Sequence, residues 1–326
     1  MGQPAIPTTP TSASVAGKTA IITGGNTGIG YEVARQLLVL TVSRIIIAVR
    51  STRKGQEALA SLRALPEVKK ANPTATIEFF HLDLDDSQSG VEFAKKVRAE
   101  VPELHLLVCN GGVNLMSYET SKSGHERVMQ VNCYTHFLVT LELLPLLRAT
   151  AVKCGEPSRL TFVGSSNQNF NTLAKNPVKD SETVIEHYDK KQTYSGLQRY
   201  GDSKFAMHAF VQRLASIVPS SELIVNDPCP GLVATGFDSG LPFWLKPVMY
   251  VLRKLMARTV DEGARTIIYA AVVAGQETHG KFLQSNKVDP GAPIFQEKAG
   301  QTFVERLWKD TIMEATQYDA ELQSFA

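Results

Sequence analysis

Cysteine is scarce in this chain. Four occur, Cys109, Cys133, Cys154 and Cys229, and no two stand at C-x-x-C spacing. They read as reduced core thiols of a cytoplasmic protein, and no metal site is expected. Charge of one sign is also lacking. Lys and Arg number 34 against 32 Asp and Glu, leaving a net charge of +2. That balance removes any global electrostatic argument for nucleic acid or an anionic membrane as partner. No run is apolar enough to span a bilayer, so no integral membrane span is expected. Residues 1–16 hold no apolar h-region and are rich in Pro, Thr, Ser and Ala. They read as a disordered arm and not as a signal peptide. Met1-Gly2 opens like a myristoylation site, but Ile6 stands where Ser or Thr is required.

What the chain does have is 326 residues, enough for one large α/β domain, and an ordinary hydrophobic fraction of 43%. The organising stretch is Thr23-Gly24-Gly25-Asn26-Thr27-Gly28-Ile29-Gly30. The apolar run Ala20-Ile21-Ile22 precedes it, and a segment with Val33, Leu37 and Leu38 at helical spacing follows. Strand, glycine turn and helix make the context a dinucleotide requires. Glycines let the backbone approach a pyrophosphate, and a helix N-terminus offers unpaired N–H groups and a favourable dipole.

Strands and helices alternate from Lys18 onward. Further strands are expected at 44–49, 77–82, 104–109, 160–163 and 223–225, with helices between. The pattern predicts a Rossmann-type α/β fold: a doubly wound parallel sheet in a three-layer α/β/α sandwich, one domain over residues 17–326. Ligands of such sheets sit beyond the carboxyl ends of the strands. Counting about twenty residues from Gly30, where an NAD site carries an acid, reaches Arg50, followed by Arg53 and Lys54. A guanidinium there suits a 2′-phosphate, which favours NADP(H) over NAD(H).

Tyr200-Gly201-Asp202-Ser203-Lys204 places a phenol and an ammonium four residues apart, on one face if the segment is helical. A neighbouring lysine lowers a phenol's pKa and eases proton exchange with a carbonyl oxygen. Alone, such a pair is ordinary helix surface. Arriving with the glycine turn, it gains weight.

Together these motifs resemble the short-chain dehydrogenases/reductases over roughly residues 18–285. Thr23 to Gly30 is similar to the family's TGxxxGIG, and Tyr200 and Lys204 to its YxxxK. Cys109-Asn110-Gly111-Gly112 resembles NNAG, and Val131-Asn132 with His136-Phe137 resembles VNxxxHF. Arg159 to Ser165 resembles the strand ending in the family's serine, Pro230 to Thr235 its PGxVxT, and Asp83-Leu84 its acidic pair near adenine. The closest flavour is the retinol-dehydrogenase-like branch.

The resemblance implies Tyr200 as general acid or base, with Lys204 holding the nicotinamide ribose and tuning Tyr200. It implies Ser165 as donor to the substrate oxygen and Asn132 as anchor of a relay water. It implies cofactor contacts from Gly24, Asn26, Thr27, Gly28, Ile29, Gly30, Arg50, Asp83, Leu84, Asn110, Gly111, Gly112, Pro230, Gly231, Val233 and Thr235, as well as Tyr200 and Lys204. Gly164 stands where the first serine of a pair is usual, so Ser166 rivals Ser165.

Two segments face the substrate side. Residues 167–199 form a long insertion, expected as a functional loop, a lid or a subunit contact. Residues 236–258, with Leu241 to Leu252 rich in aromatic and aliphatic side chains, are where the family keeps its substrate lid. That content suits a lipophilic ketone, aldehyde or secondary alcohol. Lys246, Arg253, Lys254 and Arg258 beside it keep a peripheral membrane contact open, and a homodimer also stays open. Residues 300–326 are expected as a C-terminal helix packed on the domain. The expected activity is therefore an NADP(H)-dependent reductase. A nucleotide sensor without turnover, and a non-redox epimerase or dehydratase, are the rivals.

Overall fold

In the computed structural model, residues 2–234, 254 and 256–326 are described. The expected segment 236–258 falls almost wholly outside them, as does Thr235. The first strand, β1 (Thr19–Thr23), is completely buried, and its five residues lead into the glycine turn and α1 (Gly28–Val39). Then come β2 (Arg44–Val49), α2 (Thr52–Ala64), α3 (Pro66–Ala71), β3 (Thr76–His81), α4 (Ser87–Glu100) and β4 (Leu106–Cys109). A short helix, α5 (Arg127–Met129), runs through a π-helical turn at Gln130–Tyr134 into α6 (Thr135–Cys154). After β5 (Ser158–Phe162) follow α7 (Val184–Asp189), α8 (Gly196–Ile217) and β6 (Leu223–Cys229). The chain closes with α9 (Val260–Ile268), β7 (Lys281–Gln284), β8 (Lys287–Asp289) and α10 (Lys298–Ala315).

Among the described residues the strands form one sheet of eight in the order β3-β2-β1-β4-β5-β6-β7-β8. Every pairing is parallel except the last, β7 with β8. The order reverses between β1 and β4, and helices lie on both faces over two apolar cores. The expected Rossmann-type sandwich is therefore present, with two strands more than the six read from sequence. Both extra strands are short, and they turn at Ser285-Asn286 with φ of +52° and +62°. The sixth strand, expected at 223–225, runs on through Asn226, Asp227 and Pro228 to Cys229. Pro228 is tolerated because β5 pairs only as far as Asn226, so the missing N–H costs no bond on that side.

The arm expected to be disordered is ordered by specific contacts. The Gln3 amide donates to the carbonyls of Leu232 and Met256, at 2.9 and 2.8 Å, and accepts from the Leu232 N–H at 2.9 Å. Ile6 is only 3% exposed, and Arg258 and Arg265 donate to the Pro4 and Ile6 carbonyls. A few anchors of this kind offset the chain entropy that the polar composition alone could not.

The 167–199 insertion is tied down as well. Its α7 starts with a capping box, Thr183 with Glu186, and α10 holds it through Asp310, which accepts from Val184 N–H at 2.6 Å. Within the expected C-terminal helix, Trp308 packs 5.4 Å from Phe210 of α8. His125 ties three regions together, bonding Asp189 of α7 at 2.8 Å and Glu314 of α10 at 3.2 Å. Burial opposes its positive charge, but the two carboxylates outweigh that and raise its pKa from 6.5 to about 9.

A folded-state pKa above the unfolded value gives stability that is complete below the unfolded pKa of 6.5 and disappears as pH rises through about 9. The melting-temperature gap between wild type and His125→Asn should be widest below pH 6 and close above pH 9.5. A gap independent of pH across scanning calorimetry would contradict the charged pairing.

Candidate active site

The carboxyl ends of β1, β4, β5 and β6 bring most of the expected residues to one edge of the sheet. In the first turn Gly24 has φ of +66°, which favours glycine. At Gly30 a Cβ would lie 2.5 Å from Asn110 Nδ2 and 2.6 Å from the Gly24 carbonyl, so only glycine lets α1 start this close to β4. Thr27 caps α1 without a side-chain hydrogen bond, and no acid stands in the first turn. Its leading N–H groups thus keep their capacity for an anion. Asn26, Gly28 and Ile29 lie in that same turn. The cradle fits the pyrophosphate of a dinucleotide by shape and by donor chemistry.

One hydroxyl joins the turn to its neighbours. Thr23 Oγ1 accepts from the N–H groups of Asn110 and Gly111, each at 2.9 Å, and lies 2.9 Å from His136 Nε2. Both lone pairs are then used, so the hydroxyl proton goes to Nε2. The ring proton of His136 is left on Nδ1, facing the Asn132 carbonyl at 3.4 Å. Burial pushes the pKa of this histidine down to about 3, in keeping with a neutral ring. Asn110 Nδ2 adds a bond to the Thr23 carbonyl at 2.9 Å. His136 was read only as part of a motif; its function as a tie between β1 and α6 shows in three dimensions.

Asn132 is completely buried in the π turn. Its amide oxygen accepts from Val113 N–H at 2.8 Å, and its Nδ2 donates to the Val113 carbonyl at 3.0 Å and to Ser203 Oγ at 2.9 Å. The side chain is therefore a brace between the loop after β4 and α8. Gly111 and Gly112 lie on that loop; a Cβ at Gly111 would meet Leu84 Cδ1 at 2.5 Å. Asp83, buried after β3, accepts from Lys122 Nζ at 2.8 Å, so its carboxylate already has a partner. Arg50 is exposed at the end of β2, whereas Arg53 is held by Glu57 at 2.6 Å.

Lys204 of α8 is buried, and its ammonium donates to the Val163 carbonyl at 2.7 Å while lying 5.5 Å from the centre of the Tyr200 ring. Burial lowers its pKa from 10.5 to about 8. Two residues beyond Val163, Ser165 caps a 3₁₀ turn (Ser166–Phe170), accepting from Asn167 N–H at 3.2 Å. That turn packs tightly on α8: a Cβ at Gly201 would sit 2.7 Å from the Asn167 carbonyl. The turn that Ser165 caps is thus held against α8. Ser166 donates its backbone N–H to Cys229 Sγ at 3.4 Å. Pro230, Gly231 and Val233 follow β6, with Gly231 at φ of +82°.

Sequence reading missed Arg199, next to Tyr200. It is buried, bonds Glu126 at 3.1 Å and stacks near Tyr188 and Tyr194. It missed Asp227 and His208 too. For His208 a signal existed, its position four residues beyond Lys204. Away from this edge, Glu103, His105 and Cys154 bring ligand-type atoms within 4.8 Å of one another. His105 Nδ1 accepts from Thr19 N–H at 3.1 Å, so the ring proton sits on Nε2, the nitrogen facing the cluster, and leaves it no lone pair for a cation.

Replacing Thr23 by Val should strand two backbone donors and destabilise the fold by about 1–3 kcal/mol in urea titration, while Thr23→Ser stays near wild type. Equal losses for both variants would sink the bonding scheme.

Among the described residues, no helix is long and apolar enough to cross a membrane. A family model described as short chain dehydrogenase matches residues 18–170. The chain is 58% identical over 296 residues to a short chain dehydrogenase, sor7, of Hypocrea jecorina, covering 90% of this chain and 82% of that one. It is 39% identical over 313 residues to the short chain dehydrogenase macD of Penicillium terrestre, covering 96% and 95%. Among solved structures it shares its fold with the Pseudomonas aeruginosa RhlG/NADP active-site complex, at a TM-score of 0.62, 24% identity and coverage of 83% and 95%. By its glycine turn, sheet and relatives, the chain belongs to the short-chain dehydrogenase/reductase family, the NAD(P)-dependent oxidoreductases.

Proposed function

We propose that this protein transfers hydride between NADP(H) and a hydrophobic ketone, aldehyde or secondary alcohol, acting chiefly as a ketoreductase. The observation that carries the reading is the placement of Lys204: a buried ammonium against the Tyr200 ring, bonded to the strand end that leads to Ser165. The cofactor, when bound, supplies the hydride. The chain's own groups manage position and proton. Tyr200 gives its hydroxyl proton to the carbonyl oxygen in reduction and takes it back in oxidation. Ser165 donates a hydrogen bond to that same oxygen, and the Lys204 charge favours the phenolate.

The α1 cradle from Gly24 to Gly30, with Asn110, Gly111, Gly112, Asp83 and Leu84 around it, would hold the dinucleotide. Pro230, Gly231, Val233 and Thr235 would stand by the nicotinamide. An exposed Arg50 at the end of β2 supports NADP(H), since a guanidinium grips a 2′-phosphate through paired hydrogen bonds. A lipophilic substrate is supported by Phe170 and Leu197, 66% and 73% exposed on the segments flanking Tyr200. The composition of residues 241–252 and the likeness to the retinol-dehydrogenase-like branch point the same way.

A screen of lipophilic carbonyls that follows NADPH absorbance tests the activity. Tyr200→Phe should lower turnover by at least about a thousandfold and leave cofactor affinity within about twofold. Retained turnover would refute the proton role, and a sensor or non-redox enzyme would oxidise no NADPH with any member of the panel. Arg50→Ala should weaken NADP(H) by about tenfold or more and NAD(H) hardly at all. Equal weakening of both would undo the cofactor preference.

A further inference from the structure

The helix that carries Tyr200 and Lys204 continues the same spacing. His208 and Gln212 follow at steps of four, so one stripe of α8 reads Tyr200, Lys204, His208, Gln212. Facing this stripe from β6 is Asp227, completely buried. Gln212 Nε2 donates to His208 Nε2 at 2.8 Å, which leaves the ring proton on Nδ1, and Nδ1 donates to Asp227 Oδ1 at 2.8 Å. The other carboxylate oxygen, Oδ2, is buried without a hydrogen-bond partner among the described residues. It lies against Gly164, where a Cβ would meet it at 3.1 Å and the Asp227 carbonyl at 2.8 Å. Gly164 directly follows Val163, whose carbonyl receives the Lys204 ammonium. A side chain at position 164 would thus meet first the Asp227 backbone carbonyl and then its carboxylate, so Gly164 lets the end of β5 lie close to both.

A buried carboxylate with one oxygen unbonded is expensive unless a cation compensates it. The groups facing Lys204 are few. Tyr200 and His208 share its helix, Cys133 and neutral His136 come from the π turn and α6, and Cys229 and Asp227 come from β6. Burial raises the Cys133 thiol well above its usual range, so it stays uncharged. Asp227 is the one carboxyl of this set: burial raises its pKa, and His208 and the Lys204 charge pull it back toward the ionised form.

We propose that Asp227, aimed by His208, is the counter-charge of Lys204, a positioning residue that keeps the amine an ammonium in a site closed to water. The proposal rests on Lys204 being the amine of the active site, yet it can be tested without turnover. His208 with its Gln212 cap sets which oxygen of Asp227 is occupied and which turns toward the Val163–Gly164 end of β5. Burial lowers the Lys204 pKa and the Asp227 charge acts in the opposite direction, so removing that charge should lower it further.

The experiment is a pH titration of the free protein labelled with ε-¹³C lysine, with the Lys204 resonance assigned from its absence in Lys204→Met. Wild type should titrate near pH 8, and Asp227→Asn, which keeps the shape and the acceptor for His208, should titrate lower by about one pH unit or more. Should Asp227→Asn fail to fold, Asp227→Ser, with a small neutral hydroxyl, is expected to show the same downward shift. A Lys204 titration within about 0.2 units of wild type in a folded neutral variant would overturn the proposal. Because no substrate enters the measurement, an inactive carbonyl panel would refute the proposed reaction while leaving this result standing.

Discussion

Three elements of this site meet on the hydroxyl of Thr23. Two backbone N–H groups of the loop after β4 end on its oxygen, and its proton ends on His136 of α6. Each bond is modest in isolation, but none has water to replace it, so losing one leaves a buried donor or acceptor unsatisfied. The arrangement fixes the distance between the glycine turn and the loop of Asn110 to Gly112. It also fixes the tautomer of His136, and through Asn132 it reaches the helix of Tyr200, because the Asn132 amide spans from Val113 to Ser203.

A second constraint is electrostatic. A lysine amine buried as fully as Lys204 prefers to lose its proton, and its pKa falls to about 8. A charge on Asp227 of β6 opposes that fall. With Asp227 as the proposed counter-charge, the lysine is held from behind while it faces the Tyr200 ring.

Much of this was legible along the chain. The glycine turn, the alternation of strands and helices and the Tyr200–Lys204 pair are local patterns, because helix periodicity, buried β-branched runs and glycine conformations are each set within a few residues. Other features were not. Polar composition argued for a disordered arm, but Gln3 and Ile6 gain their partners from residues more than two hundred positions away. The sixth strand was expected to end at Val225, and only the one-sided pairing of β6 explains how it runs on through Pro228. Strands β7 and β8 are too short to show a period.

The order of glycines, strands and motif residues by itself determined the Rossmann-type sheet and the edge at which a nucleotide would lie, since parallel sheets bind at their carboxyl ends. Tertiary structure alone decided that Asn132 is a brace, that His136 is neutral with its proton on Nδ1, and that Gly164 lies against Asp227. The reason is physical: protonation, hydrogen-bond roles and close packing depend on which groups exclude water together. Those groups come from β1, β4, β5, β6, α6 and α8, which only folding brings within a few ångströms of each other.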